Sequence, residues 1–137
     1  MIVAPVKSAK NCVICNKEFI PLCRQQKCCN KECKRRKNLD YILQWKKDLK
    51  NEVITHYSKS KSCQKCGFDD MRALSIDHIK GGGNRHRDKL GNDGSGVYRW
   101  LKKENYPTGY QVLCMNCQFI KKSENKEFIN KPRNTKK

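Results

Sequence analysis

The residues of this 137-residue chain whose types and spacing could do chemistry are its ten cysteines and a single Asp-His dipeptide, Asp77-His78. The cysteines fall into two groups. Cys63-x2-Cys66 and Cys114-x2-Cys117 are matching pairs separated by 47 residues, an arrangement in which two tight turns bring four thiolates around one zinc ion. The other group holds Cys12-x2-Cys15, then Cys23, Cys28, Cys29 and Cys33. Its second pair is read as Cys29 and Cys33, because Asn30 is placed to cap a helix beginning Lys31-Glu32, which sets Cys33 in the first turn facing back toward Cys29. Cys23 and Cys28 are then spare. Two structural Zn2+ ions are expected, each closed by four protein ligands and so without an open position for catalysis.

Disulfides are the weaker alternative. No apolar run of signal-peptide length opens the chain, since Met1 to Val6 is interrupted by Pro5 and followed by Lys7 and Lys10. No stretch approaches the roughly 18 apolar residues of a membrane-spanning helix. The expectation is an intracellular, cytoplasmic protein with no membrane partner, in which thiols stay reduced and Cys-x-x-Cys units bind zinc.

An Asp beside a His at the end of a strand offers a hard oxygen ligand for a divalent cation, next to an imidazole able to take a proton from water. Such a dipeptide is common on surfaces and at helix caps. Here it lies between two zinc-binding half-sites, and that order gives it meaning.

Several elements must position these groups. From Lys34 to Tyr57 there is no Gly or Pro, and Leu39, Ile42, Trp45, Leu49, Val53 and Tyr57 recur at intervals of three or four, which predicts a helix with one apolar stripe. Its first residues, Lys34-Arg35-Arg36-Lys37, would be a solvated face on a lone helix; beside a zinc finger in a basic chain they read as phosphate contacts. Leu74-Ser75-Ile76-Asp77-His78-Ile79 alternates as a strand does. Gly81-Gly82-Gly83 and a polar loop with Gly91, Gly94 and Gly96 follow, and no Gly-Lys-Ser/Thr makes the glycines a nucleotide-binding loop. A short helix is expected at Tyr98-Arg99-Trp100-Leu101, a turn at Pro107 and Gly109, a second strand from Tyr110 to Leu113, and a helix from near Cys117 through Lys122. Adjacent strand residues point to opposite faces, so the first strand must twist or end at Asp77-His78 if both are to act at one point. Trp45, Trp100, Phe119 and Phe128 sit at helical spacings and are read as core rather than as base-stacking platforms.

Length allows one ordinary domain or two very small ones. With 36% apolar and 32% charged residues, a large hydrophobic core is excluded and metal must help hold the fold. The formal net charge is +18, and residues 1–62, 63–122 and 123–137 carry +10, +5 and +3 of it. A polyanion is the expected partner. Solubility or codon bias is the bland alternative, since 23 of the 31 basic residues are Lys.

The segment from Cys12 through Lys17-Glu18-Phe19 to Cys29-Asn30-Lys31-Glu32-Cys33 resembles small four-cysteine zinc fingers that lead into a basic helix. About residues 57 to 123 resemble the HNH endonuclease family, whose zinc-containing members have Cys-x-x-Cys, then Asp-His, then Leu-Cys-x-x-Cys entering a helix with a Lys. The matching residues are Cys63, Cys66, Asp77, His78, Leu113, Cys114, Cys117 and Lys121. Gly81 to Arg87 and Tyr110 to Cys117 further resemble phage and virus members. The resemblance implies a small, zinc-stabilised α+β fold with a treble-clef-like ββα-metal core, preceded by a zinc finger and a linking helix. The corresponding spans are a zinc finger over 1–36, a basic amphipathic helix over 37–60, a nuclease module over 61–123 and a basic, disordered or DNA-trailing tail over 124–137.

It also implies DNA as the partner, no small-molecule substrate, and phosphodiester hydrolysis to 5′-phosphate and 3′-hydroxyl ends. Asp77 would hold one Mg2+ or Mn2+ at the scissile phosphate, and His78 would deprotonate the attacking water. The family's second metal ligand, a His or Asn directly after the last cysteine, falls on Gln118, with Asn116 and His86 as substitutes; its central Asn falls on Gly109. DNA contact is expected at Lys34, Arg35, Arg36, Lys37, Arg85, Arg87, Lys121 and Lys122. Gln118 and Gly109 motivate a second reading, a non-catalytic double-zinc nucleic-acid-binding protein on a degenerate scaffold. A third, a zinc-stapled protein-interaction module, would make the charge incidental.

Overall fold

In both halves of the chain a Cys-x-x-Cys turn is closed by a residue in the left-handed region directly after its second cysteine, Asn16 at φ 56° and Gly67 at φ 78°. The structure, a computed structural model, describes residues 8–91 and 94–127. The chain divides into two compact units, Met1–Lys46 and Lys47–Lys137.

In the first unit, β1 (Lys10–Asn11) pairs antiparallel with β2 (Glu18–Phe19), in register Lys10 to Phe19 and Asn11 to Glu18. The turn between them carries Cys12 and Cys15 and is closed by Cys12 N–H to Lys17 O and Asn16 N–H to Cys12 O, both 2.9 Å. The loop that follows is pinned by Gln26, which accepts from Leu22 N–H at 2.8 Å and donates to Cys28 O at 2.9 Å. Helix α1 (Lys31–Tyr57) then begins where Asn30 caps it, Oδ1 accepting from Cys33 N–H at 2.8 Å. Cys12, Cys28 and Cys33 form the buried cluster here, with Ile14, Phe19 and Cys29 against them, and Pro21 is buried too. A core made of thiols has little hydrophobic stabilisation of its own.

The second unit takes the C-terminal part of α1 and adds β3 (Leu74–His78), α2 (Gly83–Lys89), α3 (Gly96–Lys103), β4 (Tyr110–Cys114) and α4 (Met115–Glu124). Strands β3 and β4 are antiparallel, Leu74 opposite Cys114 and His78 opposite Tyr110. One buried cluster joins Ile54, Leu74, Val112 and Leu113 to Cys63, Cys114 and Cys117; another joins Leu49 and Val53 of α1 to Leu101 of α3. Gln64 clasps the second cysteine turn to β4, exchanging main-chain and side-chain hydrogen bonds with Val112 at 2.9 and 3.0 Å. Among the described residues the fold is thus small α+β, with two two-stranded sheets and four helices. No described helix is long and apolar enough to cross a membrane.

The helix read as capped by Asn30 and beginning at Lys31 is continuous with the one read over 37–60, a single element spanning Lys31–Tyr57. Three expectations need correction. The apolar stripe of α1 is buried only from Leu49 onward; Leu39, Ile42 and Trp45 are exposed and join neither the thiol cluster nor the Leu49 cluster. The polar loop after the glycines contains α2, a helix without apolar periodicity that is anchored through His86. Phe119, read as core, is exposed on α4, whose inward face is taken by Cys117 and Gln118. Trp100 does pack against the Leu49 cluster. Phe128 and residues 128–137 of the expected tail lie outside the described residues.

Candidate metal centres and the Asp77-His78 site

The structure gathers the cysteines into two sets, Cys12, Cys15, Cys29 and Cys33, and Cys63, Cys66, Cys114 and Cys117, with the ligand atoms of each within 4.8 Å of one another. All ten cysteines are free thiols. Zinc–sulfur bonds of about 2.3 Å place tetrahedral sulfurs about 3.8 Å apart. The Sγ separations of 3.5 Å for Cys15 and Cys29, 3.8 Å for Cys29 and Cys33, and 3.7 Å for Cys66 and Cys114 match that spacing. Cys28 is buried beside the first set and Cys23 is exposed, and neither belongs to it.

Electrostatics shows why a dication suits these sites. A main-chain hydrogen bond from Cys15 helps bring Cys12 down to about 5, while burial, and then the hydrogen bond with Cys15, pushes Cys33 up to about 12. In the second set burial and the Cys66 contact push Cys117 up to about 12. The protein alone does not hold all four thiols of a set ionised. A bound Zn2+ would, and each set can therefore hold a structural zinc.

The Asp77-His78 pair lies at the end of β3 in regular register, Asp77 opposite Gln111 and His78 opposite Tyr110. The strand ends at His78, and the two side chains have separate partners, as alternation requires. Asp77 Oδ2 accepts from Gln111 Nε2 and pairs with Lys121 Nζ of α4, both at 2.8 Å. The same ammonium donates to His78 O at 2.6 Å and lies 3.8 Å from Glu127 Oε1. Gln118, one helical turn before Lys121, gives its Nε2 to Ser75 Oγ, two residues before Asp77. Thus α4 addresses one face of β3 with two side chains, and Lys121, not Gln118, is the one that reaches Asp77.

The imidazole of His78 meets different company. Its Nε2 lies 2.8 Å from Nδ1 of His86 on α2, and its ring stands edge-on to Tyr110 at 4.8 Å. His86 in turn stands edge-on to Trp100 of α3, with centroids 4.4 Å apart. A Cβ at Gly83 would lie 3.0 Å from His78 Nδ1, so any larger residue there would press on the imidazole. Burial, and then the proximity of His86, hold His78 below the ordinary imidazole value, against the opposing pull of Asp77. It is neutral near pH 7.

The remaining expected positions scatter. Asn116 is exposed at the start of α4, and Arg85 and Arg87 are exposed on α2. Lys34, Arg35 and Arg36 are exposed on α1, while Lys37, Lys121 and Lys122 are half-buried. Gly109 has φ 99° and accepts from Ile79 N–H at 3.0 Å; a residue with a Cβ would be strained there. Sequence reasoning did not find Ser75, Gln111 or Glu127, whose roles depend on strand register and on the phase of α4. Compared with protein families, curated proteins and solved structures, the chain matches none.

Proposed function

We propose that the chain is a metal-dependent endonuclease of the HNH type, hydrolysing DNA phosphodiester bonds by nicking or double-strand cleavage to leave 5′-phosphate and 3′-hydroxyl ends. The observation that carries this reading is His78, a half-buried, neutral imidazole at the end of β3, in a hairpin that runs into α4 beside a four-cysteine cluster. His78 is the base for the attacking water, and His86 orients its ring. Asp77 Oδ2 and the His78 carbonyl converge on one cation, the Lys121 ammonium, at 2.8 and 2.6 Å. Hard oxygens around a positive charge are the donors that Mg2+ or Mn2+ takes, so Asp77 and this carbonyl would hold the divalent ion in exchange for the ammonium. That ion, when bound, would offset the charge developing on the scissile phosphate. Arg85 and Arg87 flank His86 and supply phosphate contacts, and the zinc ions are structural.

A second reading has its own support. Lys121 on Asp77 and Ser75 on Gln118 are the partners expected if the scaffold has ceased to bind a catalytic ion and only binds DNA. Supercoiled plasmid incubated with the zinc-loaded protein in Mg2+, Mn2+ or EDTA separates the two. Nicking or linearisation in metal, absent in EDTA and lowered at least a thousandfold by His78→Ala with zinc content intact, is the expected result. Salt-sensitive DNA binding without cutting in either metal would replace it with the non-catalytic reading.

A further inference from the structure

A groove of about 620 Å3 runs between the loop from Leu22 to Asn30 and the first two turns of α1, wholly within the first unit. Four lysines line it, Lys27 from the loop and Lys31, Lys34 and Lys37 from the helix, and no carboxylate does. None of the four makes a salt bridge among the described residues. At 1.5 Å rise per residue the helix lysines follow one another about 4.5 Å apart along the axis. The basic run of α1 is therefore divided: Lys34 and Lys37 face the groove, whereas Arg35 pairs with Glu32 at 3.2 Å and, like Arg36, does not line it.

Uncompensated ammonium groups along one concave wall repel each other and concentrate anions. A phosphodiester backbone answers that field with a row of single charges at fixed spacing, and each phosphate neutralised releases a counterion. The side-chain amide of Asn38, on the same wall, offers a neutral donor of the kind that contacts phosphate and sugar oxygens. We propose that this groove seats a DNA backbone, making the first unit a DNA contact separate from the Asp77-His78 site. The inference rests on DNA as the partner but not on cleavage.

The groove carries its own reporter. Cys23 lines it and is exposed, whereas the other cysteines of this unit are either in the four-thiol set or, in Cys28, buried. In the zinc-loaded full chain, N-ethylmaleimide labelling of Cys23, followed by mass spectrometry, should slow at least fivefold with saturating 20-bp duplex at low salt and recover at high salt. The quadruple variant Lys27→Gln, Lys31→Gln, Lys34→Gln, Lys37→Gln should bind the duplex at least tenfold more weakly. Its log-log salt slope should fall by about 3 to 4, at roughly 0.9 per phosphate contact. Arg35→Gln with Arg36→Gln should change affinity much less. Zinc content and the melting curve of each variant establish that it is folded. Duplex that binds wild type yet leaves Cys23 labelling and the quadruple variant's affinity unchanged would overturn the groove. No duplex binding by wild type would overturn both the groove and the DNA reading, while binding and protection without cleavage would overturn the nuclease alone.

Discussion

The ammonium of Lys121 touches Asp77, the carbonyl of His78 and, at the edge of ion-pair range, Glu127. Its side chain is 13% exposed and that of Asp77 9%, so water screens the pair only weakly. Removing one member of such a pair leaves a charge without its counter-ion, at a cost of about 3 kcal/mol. Lys121→Met should therefore lower the unfolding free energy of the second unit, read from urea denaturation, by that order while zinc content stays constant. Adding Asp77→Asn should recover most of the loss, because no stranded charge remains. A single variant as stable as wild type would mean that Asp77 finds solvent when the ammonium is gone, and would weaken the view of this spot as a built cation seat.

At the scale of elements, α1 and α3 are joined by polar as well as apolar contacts. Leu49 and Val53 bury against Leu101, and Glu52 takes Lys102 Nζ at 2.8 Å and the Tyr106 hydroxyl at 2.7 Å. Tyr57 closes the same region, donating to Pro107 O at 2.7 Å just before the turn into β4. Burial, with the nearby Tyr110 and Tyr106, pushes the Tyr57 phenol up to about 12, and burial likewise raises Tyr110 and Tyr98. A phenol whose folded value lies above its unfolded value adds stability that is complete below pH 10 and is lost as pH rises through the folded value. The second unit should therefore weaken progressively from about pH 10 toward pH 12. Tyr57→Phe should cost about 1 kcal/mol at pH 7 through the lost hydrogen bond, and should make that alkaline decline shallower. Denaturation midpoints across this range would show parallel curves for the two proteins if the phenol did not titrate differently on unfolding.

For the molecule as a whole, the cysteine sets stand where larger proteins have a core. A structural zinc contributes on the order of 10 kcal/mol, comparable to the entire stability of a small domain. Cys114→Ser should lower the zinc content from two ions per chain to one and abolish cooperative melting of the second unit. A melting curve and zinc content like wild type would refute the second four-cysteine site. The metal sets were legible in the sequence because their determinants are local: Cys-x-x-Cys spacing and the Asn30 cap are written within a few residues. The alternation of β3 was readable for the same reason, whereas spacing alone left open which of Cys23, Cys28 and Cys29 joins the first set, and the structure places Cys29 there. Periodicity announced an apolar stripe on α1, but nothing in a periodic pattern says whether a surface exists to cover it, and Leu39, Ile42 and Trp45 remain exposed. What the tertiary structure alone decided is the company each reactive group keeps. Asp77 meets Gln111 and Lys121, and His78 meets His86, because the β3–β4 register and the approach of α4 and α2 bring together residues 8 to 44 positions apart. Those contacts follow from packing, and no local spacing encodes them.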